Sequence, residues 1–244
     1  MTGTTPPGIT EERAASRWVR DMFGRVARRY DLLNHLLSFN LDRRWRSHTV
    51  ERVSSILEIP GARVLDLCCG TGDLLLALQA RRGAKASPIL GSDFCHPMLI
   101  EARRKIARGA IPLFEADALA LPLRDSSLDL VAVAFGFRNL ANYRKGLEEL
   151  LRVLKPGGVA AILEFSQPTN RAFARVYGFF LGRVLPWAGG LLSGSPDAYA
   201  YLPESIRKFP GAEDLASALR RSGFTRVEFE RMTGGAVALH LGWK

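Results

Sequence analysis

Apolar positions fall into two regimes along the chain. From Thr10 to about Arg29 they cluster at helical spacing, at Trp18, Val19, Met22, Phe23 and Val26, with charges on the opposite side. Thr10, followed by Arg13, fits a capping residue that opens a helix here. A second helical pattern runs from about Leu41 to Leu57, and Ile59-Pro60-Gly61 ends it. From Arg63 short apolar runs take over, at Arg63–Leu67, Ile89–Asp93, Ile111–Glu115, Leu128–Phe135 and Val159–Glu164. Between them lie helical stretches at Asp73–Arg82, Pro97–Arg108 and Tyr143–Leu154. Strands alternating with helices predict a parallel, doubly wound α/β sheet with right-handed crossovers.

The pattern then changes twice. Residues 168–210 form a less regular, aromatic-rich insertion. After it come a helix (Ala212–Ser222), a strand (Thr225–Met232), a Gly-Gly turn and a last strand (Ala236–Leu241). A terminal strand–turn–strand pair, its last strand antiparallel, is absent from ordinary dinucleotide-binding domains. It points to the class I methyltransferase architecture: a Rossmann-like, mostly parallel seven-stranded sheet with helices on both faces. The chain reads as a disordered start (1–9) and one domain (10–244), with an N-terminal helical region (10–60) and an inserted helical lid (168–210).

Composition narrows the partners. The 244 residues carry 34 basic and 24 acidic side chains, a net charge of +10. The excess is spread: 10 basic against 7 acidic in residues 1–60, 14 against 11 in 61–166, and 10 against 6 in 167–244. No dense basic tail points to nucleic acid, and a diffusely cationic surface suits an anionic lipid face better. The three cysteines, Cys68, Cys69 and Cys95, form no Cys-x-x-Cys and imply a reduced, cytoplasmic protein. The start lacks the apolar run of a signal peptide, and Ala172–Leu192 is interrupted by Arg175, Arg183 and Pro186, too broken to span a bilayer.

Val64-Leu65-Asp66-Leu67-Cys68-Cys69-Gly70-Thr71-Gly72 carries the strongest chemical signal. A buried strand runs into a glycine turn with a helix just beyond it, so backbone can approach a ligand closely at Gly70, Thr71 and Gly72. A dinucleotide fingerprint needs a third glycine, and Leu75 stands there. Asp66 at the strand end suits instead the ammonium of S-adenosylmethionine. Asp93, ending the next strand, can accept both ribose hydroxyls. Asp117 can accept from an adenine amino group, with Ala118 leaving room for the ring.

Two further segments resemble the signatures of the UbiE-type ubiquinone/menaquinone biosynthesis C-methyltransferases. They are Tyr30-Asp31-Leu32-Leu33-Asn34-His35-Leu36-Leu37-Ser38 with Trp45, and Arg152-Val153-Leu154-Lys155-Pro156-Gly157-Gly158 running to Leu163-Glu164-Phe165-Ser166. Phe135-Gly136-Phe137-Arg138-Asn139-Leu140 and Tyr199-Ala200-Tyr201-Leu202-Pro203-Glu204-Ser205-Ile206 also resemble segments of that family. The likeness runs from about Val26 to the C-terminus. Two positions depart from it: Asp42, where the family usually has His, and Ala134, where it often has Ser.

The resemblance implies methyl transfer from S-adenosylmethionine to the ring of a prenylated demethylmenaquinol, giving menaquinol. A benzoquinol step in ubiquinone synthesis is the alternative within the family. The sulfonium methyl is already activated, so the chemistry requires no metal, and His48, His96 and His240 show no ligand spacing. A neutral ring carbon is a poor nucleophile, so the ring must lose a hydroxyl proton and its phenolate must be stabilised. Arg138 and Asn139 follow the fourth strand, at the edge where open α/β sheets bind ligands. Arg138 is the candidate to stabilise the phenolate or orient a water, Asn139 to bond a quinol oxygen, and Tyr201 to contact the ring. His35 could accept a proton, although a lone histidine is more often structural.

The run Phe173 to Trp187, apolar and interleaved with Arg175 and Arg183 after Arg171, is expected to roof a channel for the prenyl tail. It would also rest peripherally on the inner face of the membrane, its arginines meeting phosphates. A homodimer is left open. A nucleic-acid amino-methyltransferase would need Asp/Asn-Pro-Pro-Tyr/Phe after the fourth strand, which Phe135-Gly136-Phe137-Arg138 does not supply. A non-catalytic cofactor-binding subunit of a quinone-synthesis complex is the remaining reading.

Overall fold

A computed structural model describes residues 3–6, 8–82, 89–106, 111–184 and 196–244. Expectations for Arg108 and for lid residues 185–195, including Pro186 and Trp187, lie outside the described residues.

The core is one seven-stranded sheet in the order β3-β2-β1-β4-β5-β7-β6. Strands β1 (Val64–Leu67), β2 (Leu90–Asp93), β3 (Leu113–Glu115), β4 (Leu128–Ala134) and β5 (Leu154–Phe165) pair in parallel. The last two, β6 (Arg226–Met232) and β7 (Val237–Trp243), pair antiparallel, with β7 against β5. Central strands covered on both faces are mostly apolar, as β1 and β4 are apart from Asp66 and Asp129. Order reverses beside β1, so the edge between β1 and β4 is the switch point where such sheets bind ligands.

Helices cover both faces. On one face, helices α3 (Leu41–Arg52), α5 (Asp73–Arg82) and α6 (His96–Lys105) bury Trp45, Leu75, Leu78 and Ala102 against the sheet. On the other, α7 (Tyr143–Val153) and α10 (Ala212–Arg221) bury Leu147, Leu150, Leu215 and Leu219. The Asn142 side chain caps α7 by accepting from the Lys145 N–H at 3.0 Å.

The N-terminal region differs from expectation in four ways. Glu11, not Thr10, caps α1 (Glu12–Val26), accepting from the Arg13 and Ala14 N–H groups. The chain tightens at Ala27–Arg29 and continues as α2 (Tyr30–Leu37), an element the apolar pattern does not announce. The Leu41–Leu57 pattern is two helices, because Val53 leaves helical geometry (φ −107°) before α4 (Ser54–Leu57). The expected disorder of residues 1–9 gives way at Thr4, whose N–H donates to the Leu140 carbonyl at 2.8 Å.

The lid comprises α8 (Arg171–Phe179), a wider turn at Phe180–Val184, and α9 (Pro196–Lys208). The Asn170 side chain caps α8, accepting from the Ala172 and Phe173 N–H groups. No residue of α8 is fully buried. Unlike the helices on the sheet, it owes little to core packing.

Candidate functional site

Two cavities meet at the carboxyl edge of the parallel strands. The smaller, about 60 Å³, lies over β1 and β2 and is bordered by Cys68, Gly70, Asp93, Asp117, Ala118 and Asn139. The larger, about 360 Å³, lies under the lid and is bordered mainly by apolar side chains, with Arg138 and Tyr177 among them. Phe23, Tyr30 and Phe135 border both, so the two spaces share a wall.

Backbone geometry at the β1 and β4 ends makes this meeting possible. Gly70 sits at φ +55°, the left-handed region that glycine enters freely. Cys68 (φ +54°) and Phe135 (φ +58°) hold the same region with side chains, at about 1–3 kcal/mol each, strain of the kind that gathers at functional sites. Gly136 is required for another reason: a Cβ there would stand 2.4 Å from the Cys68 Cβ. The Phe-Gly pair thus lets the β4 turn close on the β1 turn.

Asp93 borders the small cleft and is held from below. Its carboxylate accepts from the Gly70 and Cys95 N–H groups, each at 2.9 Å. Burial pushes its pKa up to about 6, partly countered by those backbone donors. Asp117 is exposed at the rim, one oxygen accepting from the Leu119 N–H at 2.9 Å, and Ala118 is buried beside it.

Asp66 lies deeper. It is 1% exposed, immediately precedes the lining residues Leu67 and Cys68, and neither carboxylate oxygen has a hydrogen-bond partner. Burial raises its pKa well above the carboxylate range. An orphaned, buried acid beside the cleft fits a ligand that brings an ammonium, as S-adenosylmethionine does. Thr71 and Gly72 do not border the cleft. The Thr71 hydroxyl donates to Asp31 of α2, and Gly72 packs α5 on Ala102 of α6.

Arg138 is 4% exposed and paired with Glu164, Nη1 to Oε1 at 2.9 Å. Nη1 also donates to the Phe135 carbonyl, and the guanidinium lies 5.2 Å over the Phe165 ring. Burial opposes its charge, but Glu164 beside it prevails, so its pKa stands above the ordinary value. Glu164 also accepts from the Arg138 and Phe165 N–H groups at 3.1 and 2.9 Å. Sequence reasoning gave Glu164 no role; its signal was a lone acid ending the wholly apolar run Ala160–Leu163.

Asn139 borders the small cleft, its amide nitrogen donating to the Phe135 carbonyl at 3.4 Å. The Tyr201 hydroxyl donates to Asn139 Oδ1 at 3.0 Å and accepts from Thr4 Oγ1 at 2.6 Å. Tyr201 therefore borders the large cavity with its hydroxyl already committed.

His35 lies outside both cavities. Its Nδ1 is 2.7 Å from Asp42, which also accepts from Ser38 and pairs with Arg46. Among the described residues, His35, Asp42 and Asp73 bring ligand-type atoms within 4.8 Å of one another. Arg46 and Lys105 already pair with those carboxylates, at 3.6 and 2.8 Å for Asp73. The cluster acts as a clasp joining α2, α3, α5 and α6 behind the cofactor turn. Asp42 is its centre, and Ala134, the other departure from the family pattern, borders the small cleft.

The model of the ubiE/COQ5 methyltransferase family matches residues 9–244. A demethylmenaquinone methyltransferase of Thermus thermophilus is 50% identical, covering 91% of this chain and 99% of its own. One of Deinococcus radiodurans is 42% identical over the full length of both. A ubiquinone/menaquinone biosynthesis C-methyltransferase UbiE of Geobacter sulfurreducens is 44% identical, covering 93% and 88%. Among solved structures, a SAM-dependent methyltransferase from Thermotoga maritima superposes with TM-score 0.62 at 18% identity, covering 93% and 99%, which shows the shared fold. A second, from Aquifex aeolicus, gives 0.55 at 22% identity, covering 80% and 88%.

Proposed function

The chain belongs to the ubiE/COQ5 methyltransferase family, and on that premise we propose that it methylates a ring carbon of prenylated demethylmenaquinol, giving menaquinol. It is an S-adenosylmethionine-dependent C-methyltransferase. The observation that carries the substrate reading is the adjacency of a narrow cleft bordered by the buried acid Asp93 and a large apolar cavity, with Asn139 bordering one and Arg138 the other.

Asp93 would hold the ribose hydroxyls, Asp66 the ammonium, and Asp117 with Ala118 the adenine edge. Gly70 would let the backbone approach. When bound, S-adenosylmethionine supplies an electrophilic methyl group. Arg138 would face the ring oxygen next to the accepting carbon and stabilise the negative charge left when its proton departs. Glu164 holds that guanidinium in place, and Tyr201 fixes the rotamer of Asn139, which would bond a quinol oxygen.

The larger cavity suits the prenyl tail. Its wall is Phe173, Val176, Phe180, Leu181 and Ile206, and at its margin apolar groups reach the surface. Val176 and Phe179 are 67% and 65% exposed, and Phe39, 75% exposed, lies 6.2 Å from Phe180. Arg171, Arg175 and Arg183 of the same segment are exposed as well. An apolar mouth on a segment that also carries exposed arginines fits an anionic lipid surface from which a tailed substrate could enter. Among the described residues no helix is long and apolar enough to cross a membrane.

The direct test is incubation with isotope-labelled S-adenosylmethionine and reduced demethylmenaquinone, with mass analysis of the product. Labelled menaquinol is expected. Label appearing only on a benzoquinol precursor, or on neither, would refute the naphthoquinol assignment.

A further inference from the structure

Two hydrogen-bond donors belonging to residues that border the large cavity are shielded from solvent and have no partner: Arg138 Nε–H and the Tyr177 hydroxyl. A buried donor left unpaired costs free energy, so two of them beside a largely apolar wall point to a ligand oxygen. Tyr177 lies on α8, its ring stacked on Phe173 with centroids 6.0 Å apart and planes 17° apart. Its hydroxyl is within electrostatic reach of Arg138 and Glu164. The other two tyrosines of this wall have their hydroxyls engaged, Tyr201 by Asn139 and Thr4 and Tyr30 by Asn34.

We propose that the Tyr177 hydroxyl donates a hydrogen bond to the quinol ring oxygen that Arg138 also contacts, making a two-donor grip on the phenolate. This rests on the quinol reading given above. Burial keeps the Tyr177 phenol protonated, so it serves as a donor and not as the base. Because α8 has no fully buried residue, the bond also gives the lid a reason to close only over an oxygenated ring. A tail without a ring oxygen would fill the apolar wall and leave both donors unpaired. Tyr177 would then decide which prenylated arenes are held productively.

Tyr177→Phe deletes one oxygen and retains the ring stacked on Phe173, so the lid should fold unchanged. In the demethylmenaquinol assay, kcat/KM is expected to fall by about ten- to a hundredfold, with S-adenosylhomocysteine affinity unaltered. Tyr177→Phe should also weaken binding of 2-geranyl-1,4-naphthoquinol to the S-adenosylhomocysteine complex, yet leave that of 2-geranylnaphthalene, which lacks both oxygens, unchanged. Equal kcat/KM in wild type and variant would overturn the Tyr177 role while leaving the quinol reading intact. Equal weakening of both arenes would overturn it too, since the ring and not the hydroxyl would then matter. A wild type inactive on demethylmenaquinol would instead defeat the quinol reading itself.

Discussion

The two halves of the site are built on opposite principles. On the side proposed for the cofactor, the Asp93 carboxylate is already held by two backbone N–H groups, the turn geometry is set by left-handed residues, and the space is narrow. On the lid side the space is six times larger, about 360 Å³ against 60 Å³, the wall is mostly apolar, and donors stand unpaired. A strand edge can hold a constant ligand by backbone alone. A substrate with a long apolar tail needs area more than direction, and helices resting lightly on the core supply it. Two ion pairs, Arg138 with Glu164 and Arg46 with Asp42, give the apolar half its fixed charges.

That contrast can be broken first on the cofactor side. Asp93→Ala removes an acceptor for two hydroxyls and should weaken S-adenosylhomocysteine binding by about a hundredfold or more, read by calorimetry. Quinol-analogue affinity should barely change. Equal losses for both ligands would mean the halves are not separable.

Next, charge on the lid should act only where lipid is present. Val176→Asp with Phe179→Asp is expected to abolish flotation with anionic liposomes and raise KM by about tenfold for substrate in vesicles. Cofactor affinity should stay the same. Unchanged flotation would remove the membrane role.

A smaller effect sharpens the electrostatics. Asp93 has its folded-state pKa raised from 3.8 to about 6 by burial. Its ionised form is therefore the costly one in the empty protein: the folded state gains relative stability below pH 3.8 and loses that share as pH rises through about 6. An acceptor for two hydroxyls works best ionised, so cofactor affinity should fall by up to about tenfold, one pKa unit's worth, between pH 7.5 and 5. Calorimetric titration across that range checks it, and Asp93→Asn should flatten the profile.

Much of the sheet was legible in the sequence because buried parallel strands are continuous apolar runs. Strand β4 ends one residue before the expected Phe135, which has turned to a left-handed conformation. Strand β5 starts at Leu154 and not Val159, because Leu154 pairs with Leu128 ahead of the Pro-Gly-Gly segment. The place of Asp93 at a strand end was readable, and the fold sets it at the border of the small cleft. Thr71 and Gly72 belong to the same motif, and the contacts that the fold gives them, to Asp31 and Ala102, are with residues distant in sequence that spacing alone does not announce. Tyr177 was hidden among aromatic residues, since composition does not tell which hydroxyl will be left without a partner. Glu164 was hidden for the converse reason, its role existing only once Arg138 folds onto it.

The account turns on Arg138 acting on the ring while the cofactor is held elsewhere. Its clearest test is single-turnover rate against cofactor affinity in Arg138→Gln, made alone and with Glu164→Gln so that no lone charge stays buried. The rate should fall by about a hundred- to a thousandfold in both, with S-adenosylmethionine Kd within about twofold of wild type. Near-normal turnover, or lost cofactor binding in a well-folded variant, would contradict it.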